Sequence, residues 1–232
     1  MTRRVFALVP GAGVGARMGA RHPKQYLTLQ NKTVAEHTIA RLLQHPAVEK
    51  VVVAVSAEDP IWPTLPVAQH ERVITVQGGG ERAQTVLNGL RYLLAQAPAD
   101  AWVLVHDMAR PCVHADDIDA LLASTAVDGA ILAVPVADTL KQVVDSGITA
   151  TLPREQIWRA FTPQFFPLQR LAHALEQALA AGHGVTDEAS AMEFMQAQPH
   201  VVRGRSDNIK ITWPEDLALA EFFLQQQTQE QQ

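Results

Sequence analysis

The sequence contains a single cysteine among its 232 residues, Cys112, so no disulfide can form within the chain. No apolar run reaches the ~18 residues of a membrane-spanning helix, and the apolar stretch after Met-Thr-Arg-Arg-Val-Phe is too short for a signal peptide. Acidic residues outnumber basic ones, 24 against 19, so the bulk charge does not favour a nucleic-acid or membrane surface. We therefore expect a cytoplasmic protein that binds neither nucleic acid nor membrane.

Length and hydrophobic patterning favour one α/β domain over residues 1–232. Mostly apolar segments of strand length alternate with segments of helical periodicity, which is typical of a parallel sheet covered on both faces. We predict a doubly wound, mostly parallel sheet that binds ligands at the carboxyl ends of its strands. The predicted strands are 5–10, 51–56, 73–76, 102–106, 130–134 and 201–202, and the predicted helices are 33–44, 81–96, 116–124, 169–181, 188–196 and one opened by Thr212-Trp213-Pro214-Glu215 before a fraying glutamine-rich end.

Residues 136–160 interrupt this alternation. Residues 136–144 alternate imperfectly between apolar and polar, Asp145-Ser146-Gly147 is a turn signal, and residues 148–152 can return as a second strand. Because an isolated two-stranded ribbon is marginal in water, such a hairpin usually packs against another surface. We predict that residues 136–160 form a projecting β-arm that joins two copies of the chain.

Residues 7–24 are the most informative stretch, a short apolar strand followed by a glycine loop and then cations. Backbone N–H groups and the side chains of Arg17 and Lys24 would converge there on a polyphosphate. The pattern G-x-G-x-x-A is satisfied, but the acidic residue that a dinucleotide site needs about 20 positions later would be Glu36, which lies in a helix-opening capping box. The P-loop pattern is missing, because Lys24 follows a proline and no serine or threonine adjoins it. The loop therefore predicts phosphate chemistry of another kind, with an ordinary turn carrying solvated cations as the alternative.

Polar groups follow further strand ends. The run Gly78-Gly79-Gly80-Glu81-Arg82 would let a ligand lie against the backbone beside unpaired N–H groups of the next helix, unless it is a flexible turn. Asp107 is placed to hold a magnesium ion against phosphate oxygens, although Arg110 is also a candidate ion-pair partner. Asp207 and Lys210 supply a second carboxylate and cation, with a solvated loop as the alternative. We predict that Asp107 and Asp207 hold Mg²⁺.

Taken in order, these segments resemble the 2-C-methyl-D-erythritol 4-phosphate cytidylyltransferases of the non-mevalonate isoprenoid route, over nearly the whole chain. Each segment by itself is weak evidence for the family, but all of them in this order make the match specific. They are the glycine loop through Arg17-Met18, Pro23-Lys24-Gln25-Tyr26, Gly78-Gly79 with Glu81-Arg82, His106-Asp107 with Ala109-Arg110-Pro111, Thr162-Pro163-Gln164, Thr186-Asp187-Glu188-Ala189-Ser190 and Asp207-Asn208-Ile209-Lys210.

The resemblance implies a nucleotidyltransferase fold of the nucleotide-sugar type and a homodimer joined through the β-arm. It implies Mg²⁺-dependent transfer of CMP from CTP to the phosphate of 2-C-methyl-D-erythritol 4-phosphate, with release of pyrophosphate. By the same resemblance, Arg17 and Lys24 would stabilise the transition state, and Lys210 and the partner's Arg154 would position methylerythritol phosphate. Its pocket would be lined by Thr139, Thr162 and Thr186, and the nucleotide would contact Gly11, Ala12, Gly13, Gly79 and Thr85.

The sequence departs from the usual residues of this family at three positions. Gly11 stands where alanine is usual, Met108 replaces the first alanine of His-Asp-Ala-Ala-Arg-Pro, and Thr85 stands where serine is usual. Gly11 keeps its N–H and Thr85 its hydroxyl, so the nucleotide site should tolerate both. Met108 adds bulk beside Asp107 and brings the local fit into question.

Two other functions fit parts of the pattern. Another nucleotidyltransferase of this architecture could act on a sugar phosphate or on ribitol 5-phosphate, with the same glycine loop, Arg17 and Lys24 but a different acceptor pocket. A nucleotide-binding regulator without catalysis is disfavoured, since a sensor needs neither transition-state cations nor a second phosphate site.

Overall fold

The computed structural model describes residues 3–13 and 23–230. Within that part of the chain, no helix has the length and apolarity needed to cross a bilayer. The strands are β1 (Val5–Pro10), β2 (Thr28–Leu29), β3 (Lys32–Thr33), β4 (Val48–Val55), β5 (Val73–Gln77), β6 (Trp102–Val105), β7 (Ala130–Pro135), β8 (Leu140–Val144), β9 (Gly147–Leu152), β10 (Trp158–Pro167) and β11 (His200–Arg203). The helices are α1 (Val34–Gln44), α2 (Arg82–Gln96), α3 (Ala115–Leu122), α4 (Leu168–Ala180), α5 (Glu188–Phe194) and α6 (Asp216–Glu230).

Among the described residues, seven strands form one sheet in the order β11-β7-β10-β6-β1-β4-β5. Its neighbouring strands run parallel, except that β10 runs antiparallel to both β6 and β7. The predicted mostly parallel sheet is confirmed, and each predicted strand is present with ends shifted by a few residues.

Helices cover both faces of this sheet, as the apolar strands predict. Side chains of β1 alternate between two cores, because successive residues of a strand point to opposite faces. Val5, Ala7 and Val9 pack in the core that contains α1 and α3, whereas Phe6 and Leu8 pack with α2, α4 and α5. Both faces of β1 are therefore buried, and its carboxyl end at Pro10 opens onto one edge of the sheet.

The strand β10 was not predicted from the sequence. Its run Phe-Thr-Pro-Gln-Phe-Phe-Pro carries two prolines, and proline removes a backbone donor from a sheet ladder. The strand accommodates Pro163 where its pairing with β7 shifts register between Ala160 and Gln164. This irregular stretch brings Thr162 and Gln164 to the edge of the sheet where β1 ends.

The predicted β-arm is present as the separate two-stranded sheet of β8 and β9. Its turn lies at Asp145 and Ser146, with φ values of 48° and 66°. Positive φ at both central residues is what a two-residue hairpin turn requires, because this conformation matches the twist of the strands. Nearly all residues of the arm are exposed.

The last helix differs from its prediction at both ends. It begins at Asp216, not at Thr212, and the Asp216 carboxylate accepts hydrogen bonds from the backbone N–H groups of Thr212 and Trp213 ahead of it. The expected fraying is wrong for the described part, since helix α6 continues to Glu230. Gln227 is fully buried there and donates to the Cys112 carbonyl and to the Asp207 carboxylate, each at 3.0 Å.

Candidate active site

A cavity of about 220 Å³ opens at the carboxyl ends of β1, β5 and β6. Parallel strands end at the same edge of a sheet, so the loops that follow them converge there. The residues predicted to bind a nucleotide all line this cavity, although they are far apart in the sequence. They are Gly11, Ala12, Gly13, Gly79 and Thr85.

A second cavity of about 230 Å³ adjoins the first. It is lined by Arg110, by residues 160–162 and Gln164 of β10, and by Thr186 and Asp187 before α5. Arg82, Asp107 and Lys210 line both cavities. Two ligands bound side by side would therefore meet at these three charged side chains.

Asp107 is the centre of this charged boundary. Its Oδ1 accepts from Arg82 Nε at 3.1 Å, and its Oδ2 lies 2.8 Å from Lys210 Nζ and 3.7 Å from Arg110 Nε. Burial alone would raise the pKa of Asp107, but the charges of Arg82, Lys210 and Arg110 hold it well below its usual value. The carboxylate is therefore ionised at neutral pH and orients three cations.

Arg82 has no role in the sequence prediction, yet the structure places it in both cavities. Its Nη1 and Nη2 donate to Glu188 at 2.7 and 3.1 Å, while its Nε contacts Asp107. Burial would lower the pKa of Arg82, but Glu188 and Asp107 raise it, so the guanidinium stays charged. Its position two residues after the glycine run, at the start of α2, is the sequence signal for this role.

A hydrogen bond to Thr162 holds the main chain at Asp107, and His106 in turn contacts Thr162. Thr162 Oγ1 accepts the Asp107 N–H at 3.0 Å and lies 3.0 Å from His106 Nδ1. His106 Nε2 donates to the Arg110 carbonyl at 3.0 Å, so Nδ1 is the acceptor and the Thr162 hydroxyl donates to it. Burial lowers the pKa of His106 to about 4, which keeps the ring neutral. Thr162 lines the second cavity as predicted, with its hydroxyl engaged in this network.

Thr85 shapes the glycine run that lines the first cavity. Its hydroxyl accepts the Gly79 N–H at 3.0 Å and donates to the Glu81 carbonyl at 2.9 Å. Gly78 also needs to be glycine, because an added Cβ would lie 2.6 Å from the Cβ of Ala12. The loops after β1 and β5 therefore pack closely against each other along one side of the cavity.

Of the two predicted transition-state cations, Lys24 lies in the described part of the chain. Lys24 begins a short 3₁₀ turn, Lys24–Tyr26, and lines the first cavity, where its Nζ donates to the Ile211 carbonyl at 2.7 Å. Arg17 lies outside the described residues. Lys210, the predicted substrate-positioning lysine, lies at the boundary of the two cavities.

The remaining predicted substrate residues fall into two groups. Thr186 lines the second cavity. Thr139 and Arg154 lie in the segment of the arm, are exposed, and line neither of these two cavities. Arg154 donates to the Ala137 carbonyl of its own chain. Its predicted role concerns a second copy of the chain and stays a prediction.

Asp207 is not brought together with Asp107 at the cavities. Arg205 donates to both oxygens of its carboxylate, with Nε at 3.1 and 3.2 Å, and Gln227 donates to Oδ2 at 3.0 Å. Asp207 lines neither of the two cavities. These contacts tie the loop before Lys210 to helix α6, and they give no support to a shared magnesium site with Asp107.

Two of the unusual residues, Gly11 and Met108, fit each other. A Cβ built on Gly11 would lie 2.3 Å from Met108 Cε and 2.9 Å from Met108 Sδ. Met108 is 3% exposed and occupies the space that a side chain at position 11 would need. The larger residue after Asp107 is therefore accommodated by the missing side chain in the glycine loop.

This fit predicts coupling between substitutions at the two positions. Gly11→Ala alone should destabilise the protein by about 1–3 kcal/mol, because it overpacks a filled space. With Met108→Ala in the same chain that penalty should shrink, giving a coupling energy of about 0.5–3 kcal/mol. Urea unfolding of the wild type, both single variants and the double variant measures it. Additivity within about 0.5 kcal/mol would contradict the fit.

The chain is similar to known proteins over nearly its whole length. The family model described as 2-C-methyl-D-erythritol 4-phosphate cytidylyltransferase matches residues 5–226. The enzyme of that name from Shewanella amazonensis is 55% identical over 97% of this chain and 95% of its own length. The one from Actinobacillus pleuropneumoniae is 51% identical over 99% of this chain and its own full length.

Solved structures agree with this result. A crystal structure of 4-diphosphocytidyl-2C-methyl-D-erythritol synthase matches with a TM-score of 0.84 and 37% identity, over 97% of this chain and 100% of that one. The cytidylyltransferase of Francisella tularensis matches with a TM-score of 0.81 and 35% identity, over 95% of this chain and 99% of that one. The family model spans residues 5–226 and the Shewanella amazonensis enzyme is 55% identical over nearly its full length, so the chain belongs to the 2-C-methyl-D-erythritol 4-phosphate cytidylyltransferase family.

Proposed function

We propose that the two adjoining cavities hold the two substrates of the cytidylyl transfer that this enzyme catalyses. The reaction moves CMP from CTP to 2-C-methyl-D-erythritol 4-phosphate, giving 4-diphosphocytidyl-2-C-methyl-D-erythritol and pyrophosphate in isoprenoid precursor biosynthesis. CTP would bind in the glycine-lined cavity and methylerythritol phosphate in the second. The observation that carries this assignment is the shared boundary of Arg82, Asp107 and Lys210, where two phosphate groups would meet cations.

The chemistry of this transfer requires positive charge more than a base. A phosphate monoester has a second pKa of about 6, so the attacking oxygen is already ionised at neutral pH. The obstacle is repulsion between two anions and the charge that gathers around the α-phosphorus. Fixed cations and N–H donors lower that barrier without reorganising during the reaction.

We assign the roles of the cavity residues by their positions, and the role of Arg17 from the family resemblance. Lys24 and Arg17 stabilise the transition state, and Lys210 holds the acceptor phosphate. The buried Nε of Arg110 has no hydrogen-bond partner among the described residues, so Arg110 is a further candidate for binding the acceptor in the second cavity. Thr162 and Thr186 shape the acceptor side, and Gly11, Ala12, Gly13, Gly79 and Thr85 shape the nucleotide side. Thr139 lines neither cavity of its own chain, and its place on the acceptor side follows from the family resemblance alone.

Asp107 would hold a magnesium ion that arrives with the triphosphate, in exchange for one of the side-chain cations that contact it. It is an ionised carboxylate in the wall of the nucleotide cavity, and Mg²⁺ needs only one or two carboxylates beside phosphate oxygens. No cluster of three or more His, Cys, Asp or Glu in residues 3–13 and 23–230 could hold a metal by itself. When bound, the ion would neutralise phosphate charge.

Replacing Asp107 by asparagine tests the metal assignment. Asp107→Asn keeps the side-chain shape but removes the charge, so the Mg²⁺ concentration for half-maximal activity should rise about tenfold or more. Asp128→Asn is the control, because Asp128 pairs with Arg170 away from both cavities. An unchanged Mg²⁺ requirement in Asp107→Asn would refute the role, and a matching rise in Asp207→Asn would restore Asp207 as a second ligand.

We also propose that the protein is a cytoplasmic homodimer joined through its arm. Val143, Val144 and Ile148 of the arm are 52%, 56% and 66% exposed. Apolar side chains clustered on a thin ribbon are stabilised when a second surface covers them. A second copy of the chain would supply that surface and place the partner's Arg154 beside the acceptor cavity.

Pyrophosphate release tests the substrate assignment. The purified protein is mixed with CTP, Mg²⁺ and one acceptor from a panel that includes methylerythritol phosphate and ribitol 5-phosphate. We expect release to be fastest with methylerythritol phosphate and dependent on both substrates. Faster release with ribitol 5-phosphate would assign the acceptor cavity to another polyol phosphate.

A further inference from the structure

Gln25 follows residues 14–22 in the chain, and its side chain hydrogen-bonds to two glycines that precede them. Its Nε2 lies 3.0 Å from the Gly11 carbonyl and 3.1 Å from the Gly13 carbonyl. Both partners are acceptors, so the amide nitrogen must face them, and its two hydrogens match two carbonyls. Gln25 is 4% exposed and comes directly after Lys24 in the chain.

These two hydrogen bonds set the direction of the loop backbone. In a trans peptide the N–H points opposite to the C=O of the preceding residue. Holding the Gly11 carbonyl toward Gln25 therefore turns the Ala12 N–H away from Gln25. The Gly11 N–H is already donated to the Ala54 carbonyl of β4 at 2.7 Å, so the start of the loop is fixed on both sides.

The same contacts also fix Lys24 relative to the loop. Gly11 and Gly13 precede residues 14–22, and Lys24 and Gln25 follow them. A side chain that links both ends sets the distance between the backbone donors and the lysine, whatever the residues between them do. Errors of about 1 Å in such an arrangement cost much of the rate in phosphoryl transfer.

We propose that Gln25 is a positioning residue for the nucleotide, which it does not itself need to touch: its amide aligns the glycine-loop N–H groups with the Lys24 ammonium. The inference rests on the proposed function, because it takes the first cavity as the CTP site. It predicts that loss of the amide donors damages CTP binding and turnover, and leaves the acceptor cavity intact.

Two variants at position 25 test this inference. Gln25→Glu keeps the side-chain shape but replaces the amide nitrogen, which carries both donor hydrogens, with a carboxylate oxygen that faces the two carbonyls. Gln25→Met keeps the length without charge and serves if the first variant does not fold. Tyr26→Phe is the matched control, because it removes the hydrogen bond from the neighbouring buried side chain to Asp59, 2.5 Å long and outside the loop.

The measurements are the Kd for CTP with Mg²⁺ by calorimetry, kcat and both KM values by pyrophosphate release, and Tm. We expect both position-25 variants to weaken CTP binding by about tenfold or more, because two buried carbonyls lose their donors. Their kcat should also fall, and their KM for methylerythritol phosphate should stay within about twofold. Tyr26→Phe should lower Tm and leave the Kd for CTP unchanged.

The outcomes separate this inference from the proposed function. If the wild type neither binds CTP nor releases pyrophosphate, the proposed function falls and the inference falls with it. If the wild type does both, and folded position-25 variants bind CTP within about twofold of it, Gln25 has a structural role alone and the inference is overturned.

Discussion

Lys24→Ala should lower kcat by about 10²–10³-fold, the usual cost of losing one preorganised charge at a transition state. Lys24 is held in a short 3₁₀ turn at the wall of the nucleotide cavity, and its Nζ is oriented by the Ile211 carbonyl. An ammonium fixed in this way acts on charge that develops during the transfer. KM for CTP should therefore change much less than kcat, because the interaction strengthens after CTP has bound.

Steady-state kinetics with varied CTP at saturating methylerythritol phosphate give the two constants separately. Lys32→Ala, a lysine on the small β3 strand away from the cavities, controls for the loss of one positive charge. Arg17→Ala should behave like Lys24→Ala. A Lys24→Ala enzyme with near-normal kcat and a raised KM for CTP would mean that Lys24 binds the ground state.

Most of the fold could be predicted because its signals are local. The capping box that begins α1 is present, with the Glu36 N–H donating to Thr33 Oγ1 at 3.2 Å and the Glu36 carboxylate accepting from the Thr33 N–H at 2.7 Å. The predicted capping box at Glu36 is therefore confirmed. The arm was found from one turn signal between two short strand patterns, since both features lie within a few residues of each other.

The elements that were missed depend on contacts between distant residues. β10 contains Pro163 and Pro167, which argue against a strand until β6 and β7 are in place on either side. Gln227 sits in a run that looks like a fraying end, but its amide oxygen accepts from Arg41 at 2.9 Å and its nitrogen donates to Cys112 and Asp207. No local pattern identifies which glutamine of such a run is buried.

The candidate site shows the same division. The glycine loop and Asp107 could be predicted, because they follow strands and parallel strands end at one edge. The Arg82 and Glu188 pair could not, since its two residues come from different helices far apart in the chain. Asp207 was predicted to meet Asp107 at the carboxyl edge of the sheet, but in the structure its carboxylate accepts hydrogen bonds from Arg205 and Gln227.

Mixing two inactive variants should restore activity if each active site is shared between two chains. Arg154→Ala and Lys24→Ala should each be nearly inactive as homodimers, the first for lack of an acceptor contact and the second for lack of a transition-state charge. In a mixed dimer, one site collects both defects. The other site combines an intact Lys24 with the partner's Arg154, so it should work normally.

The size of the recovery follows from random exchange of subunits. Half of the dimers are then mixed and each has one good site of two, so activity should reach about a quarter of the wild-type value if sites act independently. A mixture of Lys24→Ala with Lys210→Ala is the matched control: both residues line the cavities of one chain, so each site of a mixed dimer carries one defect and activity should not recover. The control therefore shows whether recovery requires a residue supplied by the partner's arm, and subunit exchange itself is verified separately with differently tagged chains. No recovery in the Arg154 mixture after verified exchange would mean that Arg154 serves its own chain or does not contact substrate, because mixed dimers would be present and the shared site would still be missing.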